Sequence, residues 1–194
     1  MTWQPGQIFE TETKRFKLRS LTPADITTDY INWWNDDEIQ EGLGTVGRGW
    51  TRENALKNLA TFDNSTRFHL GVYQKTDNRL VGFFSLFMDP IHKVSMANFC
   101  LGEKTLWGTG VLIEIKVHLM DFMFNTLGAE KLETKIYGRN LPSIFNSKAM
   151  GFVSEGVLIK HQNQTGGGRR DVYLFGMTKD EWLALKKAGK GFYK

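Results

Sequence analysis

Apolar and polar positions alternate over residues 16–21, FKLRSL, the period-two signature of a strand with one buried face. The period then changes. Ile26, Tyr30, Trp33 and Trp34 recur at i, i+4, i+7 and i+8, one stripe of an α-helix. In front of them Thr22-Pro23-Ala24-Asp25 has the form of a capping box with proline at the first helical position. Glycines punctuate residues 42–50 as a loop, and a short helix carrying Leu56 and Leu59 starts near Thr51. Residues 67–75, 79–88 and 94–102 read as three strands, the first two joined by a tight turn at 76–78. A helix opens at Gly110 and runs to about Leu127, where Gly128 stops it. KLETKIYG (131–138) reads as a strand, and NLPSIFNSKAMG (140–151) as a short helix with Pro142 in its first turn. FVSEGVLIKHQ (152–162) and RRDVYLFGMT (169–178) form two strands around the loop NQTGGG. Thr178-Lys179-Asp180-Glu181 then caps a terminal amphipathic helix with Trp182, Leu183 and Leu185.

The order β-α-α-β-β-β-α-β-α-β-β-α describes an α/β (α+β) fold around a mixed, mostly antiparallel seven-stranded sheet flanked by helices. One long helix between the strand at 94–102 and KLETKIYG supplies the crossover that a parallel pair requires. There is no repeat or long linker. We read 1–194 as a single domain, with a core at about 16–178 and a C-terminal helix and basic tail at 179–194.

Composition narrows the setting. The chain has 194 residues, 41% of them hydrophobic, enough for one sizeable core. No apolar run approaches the roughly 18 residues of a membrane span, and the opening MTWQPGQIFETETKRF lacks the order of a signal peptide. Cys100 is the sole cysteine, so no intrachain disulfide forms and a reducing compartment, the cytoplasm, is expected. The formal charge of +4 permits an anionic ligand. Apart from Arg169-Arg170 and the tail KKAGKGFYK the basic residues are dispersed. Nucleic-acid binding is therefore the weaker reading of that charge.

The candidate chemistry starts at LWGTGVLIEIKVHL (106–119), where Gly-x-Gly stands at a helix start. Amides from about Trp107 to Leu112 would be unpaired there and point outward together, and with the helix dipole they form a site for phosphate. A turn with no ligand fits the same residues. The P-loop pattern is absent, and Ile113 occupies the third glycine position of a Rossmann fingerprint. Glu114, His118, Asp121 and Asn125 follow at helical spacing; they read as a solvated face rather than a metal ligand set, and no metal is expected.

Further along, GRNLPSIFNSKAMGFVSEGV (138–157) completes a longer pattern. Trp107, Gly108, Gly110, Glu114, Asn140, Ser143, Gly151, Phe152, Glu155 and Gly156 together resemble the GCN5-related N-acetyltransferase (GNAT) family, in particular its ribosomal-protein N-terminal acetyltransferase branch. The resemblance implies a sheet splayed between two parallel strands, with acetyl-CoA as co-substrate in the gap. Its pyrophosphate would rest on Trp107, Gly108, Thr109, Gly110, Val111 and Leu112, and its pantetheine along Phe99, Cys100 and Leu101. Asn140 would hold the pantetheine, with Ser143 and Ser147 beside the thiol end. Thr105 replaces the Gln or Arg that many members carry three residues before the first glycine, and Ser147 stands where the family often has tyrosine.

The reaction so implied is direct attack of a primary amine on the thioester, which needs no covalent enzyme intermediate. Ser143 is the expected donor to the departing sulfur, or it merely starts the helix. His161 is the expected base; it lies beside Gln162, the register where protein-acetylating relatives often place glutamate, and His92 is a second candidate, while both also read as ordinary surface histidines. Because neighbouring strand residues face opposite sides, His161 can serve only if the register slips. Trp33, Trp34, Asp37 and Glu38 are the expected acceptor contacts; the same residues also read as a core tryptophan pair followed by a solvated helix end. The expected acceptor is a protein N-terminus, with a small amine (aminosugar, antibiotic or polyamine) or a non-catalytic acyl-CoA-binding module as alternatives. No membrane partner is expected, and a homodimer is left open.

Overall fold

The computed structural model describes residues 3–45, 49–164, 166–189 and 192. Its strands are β1 (Glu10–Glu12), β2 (Phe16–Ser20), β3 (Arg67–Gln74), β4 (Leu80–Asp89), β5 (Val94–Leu101), β6 (Lys131–Tyr137), β7 (Val153–Asn163) and β8 (Arg169–Thr178). Its helices are α1 (Thr28–Asn35), α2 (Asp37–Leu43), α3 (Arg52–Leu59), α4 (Val111–Asp121), α5 (Leu141–Ala149) and α6 (Lys179–Ala188). The strands make one eight-stranded sheet in the order β1-β2-β3-β4-β5-β6-β8-β7. The strand beyond the expected seven is β1, whose sequence Glu-Thr-Glu carries no apolar alternation and which pairs antiparallel with β2 at the sheet's edge.

Two further elements differ from expectation. The acidic run at 36–38 does not end α1; it starts α2, because the Asp36 carboxylate accepts the amides of Glu38 and Ile39, each at 3.1 Å, as an N-cap does. The helix α4 continues into a π turn at Phe122–Thr126, and Gly128 follows at φ +73°. Parts of the expected loops at 42–50 and 163–168 and of the basic tail lie outside the described residues.

Each sheet face has its own core. Leu18, Phe68, Leu70, Phe84, Leu132, Ile136 and Phe175 pack on one side with Ile115 and Leu119 of α4 and Trp182 of α6. On the other side Leu21, Tyr73, Phe83 and Cys100 pack with Ile26 and Tyr30, Ile39 of α2 and Ala55 of α3. Among the described residues no helix is long and apolar enough to cross a membrane.

The topology places the site at one seam. Strands β5 and β6 are the parallel pair, and their register covers only Val94–Met96 against Lys131–Glu133. Beyond it, Ala97–Leu101 of β5 and Thr134–Tyr137 of β6 diverge and stay paired only to their outer neighbours, β4 and β8. The gap leaves one edge of each strand free to hydrogen-bond a ligand.

The polar face of α4 is only partly solvated: Asn125 is exposed and Asp121 half-exposed, while Glu114 and His118 are held by the chain that crosses them. Thr13 Oγ1 donates to Glu114 at 2.6 Å, and the Arg15 amide and Nε donate to the same carboxylate at 2.9 and 2.6 Å. Thr11 Oγ1 and His118 Nε2 share a hydrogen bond of 2.7 Å, and Lys186 of α6 pairs with Asp121 at 2.7 Å. The segment from β1 to Arg15 thus straps α4 from outside, a contact between residues too distant in sequence for local patterning to reveal.

Candidate active site

Two adjoining cavities fill the splay. The outer one, about 350 Å³ and so within the range of small-molecule sites, is bordered by Phe99, Leu101, Trp107, Gly108, Leu112 and Ser143, among others. The inner one reaches between the diverging strands to Ala97, Asn98, Thr134, Tyr137, Lys116 and Ser147. Phe99, Leu112, Asn140 and Ser143 border both, so the two form one continuous channel.

At the outer end the loop before α4 presents main-chain amides to open space. Glu114 N–H makes the first helical bond, to the Gly110 carbonyl at 3.1 Å, which leaves the amides of Val111, Leu112 and Ile113 ahead of it without helical partners. Gly108 and Gly110 sit at φ +75° and +80°, in the left-handed region, and a Cβ on either would meet nothing within 4 Å. Glycine is required there by backbone conformation, and the space beside it is open. Trp107 Nε1 donates to the Leu101 carbonyl at 2.8 Å, pinning the loop to the end of β5. Arg15 Nη2 donates to the Thr109 carbonyl at 3.1 Å, pinning it from the other side. These amides fit a pyrophosphate.

The expected site residues divide. Phe99, Cys100, Leu101, Trp107, Gly108, Leu112, Asn140 and Ser143 converge on the outer cavity. Ser147 is buried on the inner one. Thr109, Gly110 and Val111 border neither, the Val111 side chain being in the core beneath the loop, so their contribution is limited to the main chain. Burial pushes the Cys100 thiol far above its ordinary pKa, which removes it as a nucleophile. Asn140 is already engaged: Oδ1 accepts the Ser143 amide at 3.1 Å as the N-cap of α5, and Nδ2 donates to the Gly42 carbonyl at 2.9 Å. It therefore ties α5 to the end of α2 across the channel.

The expected acceptor contacts mostly lie elsewhere. Trp34 stacks between Trp50 (4.5 Å) and Phe83 (5.2 Å), and Trp33 packs against Gly102, so both belong to the second core and border neither cavity. Asp37 opens α2 and also lies off the channel. Glu38 borders the outer cavity, where Lys104 pairs with it and with Asp36, each at 2.9 Å.

The histidines also lie off the channel. The register of β7 does slip, between Leu158 and Gln162, with Lys160 at φ +47°. His161 nevertheless remains exposed on that edge strand, and Gln162 takes the position opposite Arg170. His92 is exposed in the β4–β5 turn, and His118 is held by Thr11 on the far side of α4. His69 is buried under α1 between Tyr30 Oη (2.8 Å) and Ser85 Oγ (3.0 Å), and burial lowers it to about 4.

Lys116 went unassigned. It stands four residues after Leu112 and three before Leu119, on the apolar stripe of α4 rather than its polar face, and that spacing is the signal that marks it.

Residues 15–153 match the family model of the acetyltransferase (GNAT) domain. The chain is 25% identical over 177 residues to an uncharacterized N-acetyltransferase p20 of Bacillus licheniformis, covering 88% of this chain and 96% of that protein. Its fold is similar to that of a spermidine N-acetyltransferase from Vibrio cholerae in complex with CoA and spermine, with TM-score 0.77, 20% identity and coverage of 87% and 98% of the two chains. It is equally similar to a ribosomal-protein-S5-alanine acetyltransferase from Vibrio fischeri, with TM-score 0.76, 19% identity and coverage of 90% and 98%. At these identities the two structures speak to the fold alone.

Proposed function

The chain belongs to the acetyltransferase (GNAT) family, and we propose that it moves the acetyl group of acetyl-CoA to the α-amino group of a peptide or protein N-terminus. Acetyl-CoA is the family's co-substrate. In this chain the amides opening α4 would take its pyrophosphate, and the free edge of β5 from Ala97 to Leu101 would pair with its pantetheine. Main-chain amides on that edge could also hydrogen-bond the oxyanion formed on attack. Ser143, at the junction of the cavities, is placed to orient the thioester.

One observation carries the choice of acceptor: no carboxylate and no histidine borders the inner cavity, among the described residues. No side chain of that kind is there to strip a proton from an ammonium. An α-amino group, with a pKa of about 7.7–8.0, is neutral to roughly a tenth at pH 7; a lysine-type amine near 10.4 is neutral to less than about a thousandth. Such a cavity favours an amine that loses its proton unaided. A polycation is further disfavoured at the inner cavity, because Lys135 borders it and, among the described residues, no carboxylate there offsets that charge.

The test is a rate comparison at pH 7 and pH 9. The substrates are a peptide with a free N-terminus, the same peptide N-terminally blocked but carrying lysine, spermidine and an aminosugar. The free-terminus peptide should lead at pH 7, and the lysine peptide and spermidine should gain most on going to pH 9. Faster turnover of spermidine or the aminosugar at pH 7 would overturn the N-terminal reading in favour of a small-amine enzyme. Calorimetry with acetyl-CoA, on the native chain and on Gly110→Val, tests the anion site independently. Undiminished binding to the valine variant would remove it.

A further inference from the structure

The inner cavity holds a cation that the reading above does not use. Lys116 is 7% exposed, its Nζ lies 4.5 Å from the centroid of the Phe152 ring, and it borders the cavity beside Thr134 and Ser147. No ion pair to a carboxylate is made by it among the described residues. Burying an ammonium without a counter-charge costs stability, and such a charge persists where a ligand or a reaction uses it.

The channel indicates what would use it. If the pyrophosphate rests at Gly108–Leu112, the rest of the co-substrate runs inward past Phe99, Leu112 and Ser143. Its thiol end then reaches the part of the channel where Lys116 and Ser147 lie. We propose that the Lys116 ammonium is the acid that protonates the departing CoA thiolate. The proposal rests on acetyl-CoA occupying this cleft. The acceptor nitrogen bonds to the carbonyl carbon, and the C–S bond then breaks with its electron pair going to sulfur. Lys116 gives sulfur a proton, and the neutral lysine regains one from solvent, which receives the proton shed by the new amide nitrogen. The net products are the amide and the CoA thiol. Negative charge grows on sulfur only as that bond breaks, so Lys116 meets its partner charge in the transition state and not before.

The other groups of the cavity are poorer donors. Ser143 and Ser147 offer aliphatic hydroxyls, far weaker acids than an ammonium. Lys135 is exposed, and it and Tyr137 alternate onto the sheet face opposite Thr134 and Ile136; the guanidinium of Arg170 also covers the Tyr137 ring at 4.4 Å. These two are the titratable groups that share the cavity with Lys116, and the lining residues of β5 and α5 carry none. Burial lowers Lys116 to about 8, which keeps it largely protonated at neutral pH yet ready to release its proton.

Lys116→Met keeps the length of the side chain and its contact with Phe152. Acetyl-CoA affinity by calorimetry should stay within about threefold of the native chain, while kcat falls by about 100-fold or more. The native kcat should decline along an alkaline limb that is absent from the methionine variant and unmoved in Tyr137→Phe. Retention of kcat within threefold by Lys116→Met, or a limb that survives in it or shifts in Tyr137→Phe, overturns the assignment. So does a stable acetyl group on Lys116 after incubation with acetyl-CoA alone, read by mass spectrometry, because the residue would then be an acceptor. Failure of the native chain to bind acetyl-CoA is a separate result, which removes the underlying reading and this proposal with it.

Discussion

The two faces of the sheet bury charge in opposite ways. Under α1–α3, Asp25 is 9% exposed and fully partnered. Arg19 donates to both of its oxygens at 2.8 and 2.6 Å, Tyr73 Oη donates at 2.7 Å, and the Thr22 amide and hydroxyl each donate at 2.8 Å. Burial alone would raise this carboxyl, but donation by Arg19, Tyr73 and Thr22 outweighs it and holds the pKa well below the usual carboxylate range. Under α4, Lys116 has an aromatic ring and, among the described residues, no anion, and burial alone lowers its pKa from 10.5 to about 8. A satisfied buried charge is a fastening, here joining the 3₁₀ turn Pro23–Asp25 to β2 and β3. An unsatisfied one weakens the fold and so marks a place where something else acts.

The contrast has opposite signs in stability, and three substitutions test it. Asp25→Ala strands Arg19 beside an emptied site and should destabilise by about 3 kcal/mol, read as a fall in the urea midpoint at unchanged slope. The native form should also weaken in acid. The folded carboxyl titrates below its unfolded value of about 3.9, so its contribution is complete above that pH and drains away as pH falls through the folded pKa. The alanine variant should lack that part of the acid loss.

Lys116→Met should do the reverse and stabilise by about 3 kcal/mol at pH 7, by removing an ammonium with no counter-charge among the described residues. The folded lysine titrates below its unfolded value, so between about 8 and 10.5 the unfolded chain binds more protons and native stability rises with pH. The gap between native chain and variant should therefore close across that range. A methionine variant less stable at pH 7 would show that Lys116 is partnered after all, and the contrast would fail. Greater stability with lower turnover would place the residue where function and stability compete.

The smallest expected effect is that of Tyr73→Phe, about 1.5 kcal/mol, since it removes one donor of several and leaves the Arg19 pair intact. Its acid transition should move to higher pH, because the carboxylate loses one of the bonds that favour its charged form. An unmoved transition would assign the low Asp25 pKa to Arg19 and Thr22 alone.

Much of this molecule is legible in one dimension, for identifiable reasons. The capping boxes at Thr22–Asp25 and Thr178–Glu181 are satisfied within a turn, so their residues predict them and the structure contains them. The strands with clean alternation and the glycine stops at 128 and 151 are local in the same sense. Gly108 and Gly110 need their backbone angles whatever surrounds them, which is why the glycine turn before α4 can be read from spacing alone.

What failed to show depends on meetings between distant residues. Strand β1 exists because β2 offers it an edge, and the strap from Thr11 to Arg15 because α4 passes beneath it. The spacing of Trp33 and Trp34 fits an acceptor contact and a core pair alike; the stacking of Trp34 between Trp50 and Phe83 and the seat of Trp33 against Gly102 commit them to the core. His161 looked like a base until the edge strand left it facing solvent. Lys116 sat in plain view within an apolar helix; only the splaying of β5 from β6 shows that the buried ammonium borders a channel and not a sealed core. Sequence determines which groups a chain possesses and the local turns they can close. Which of them face one another is decided by packing, since burial and charge compensation are properties of the assembled sheet and helices rather than of any segment.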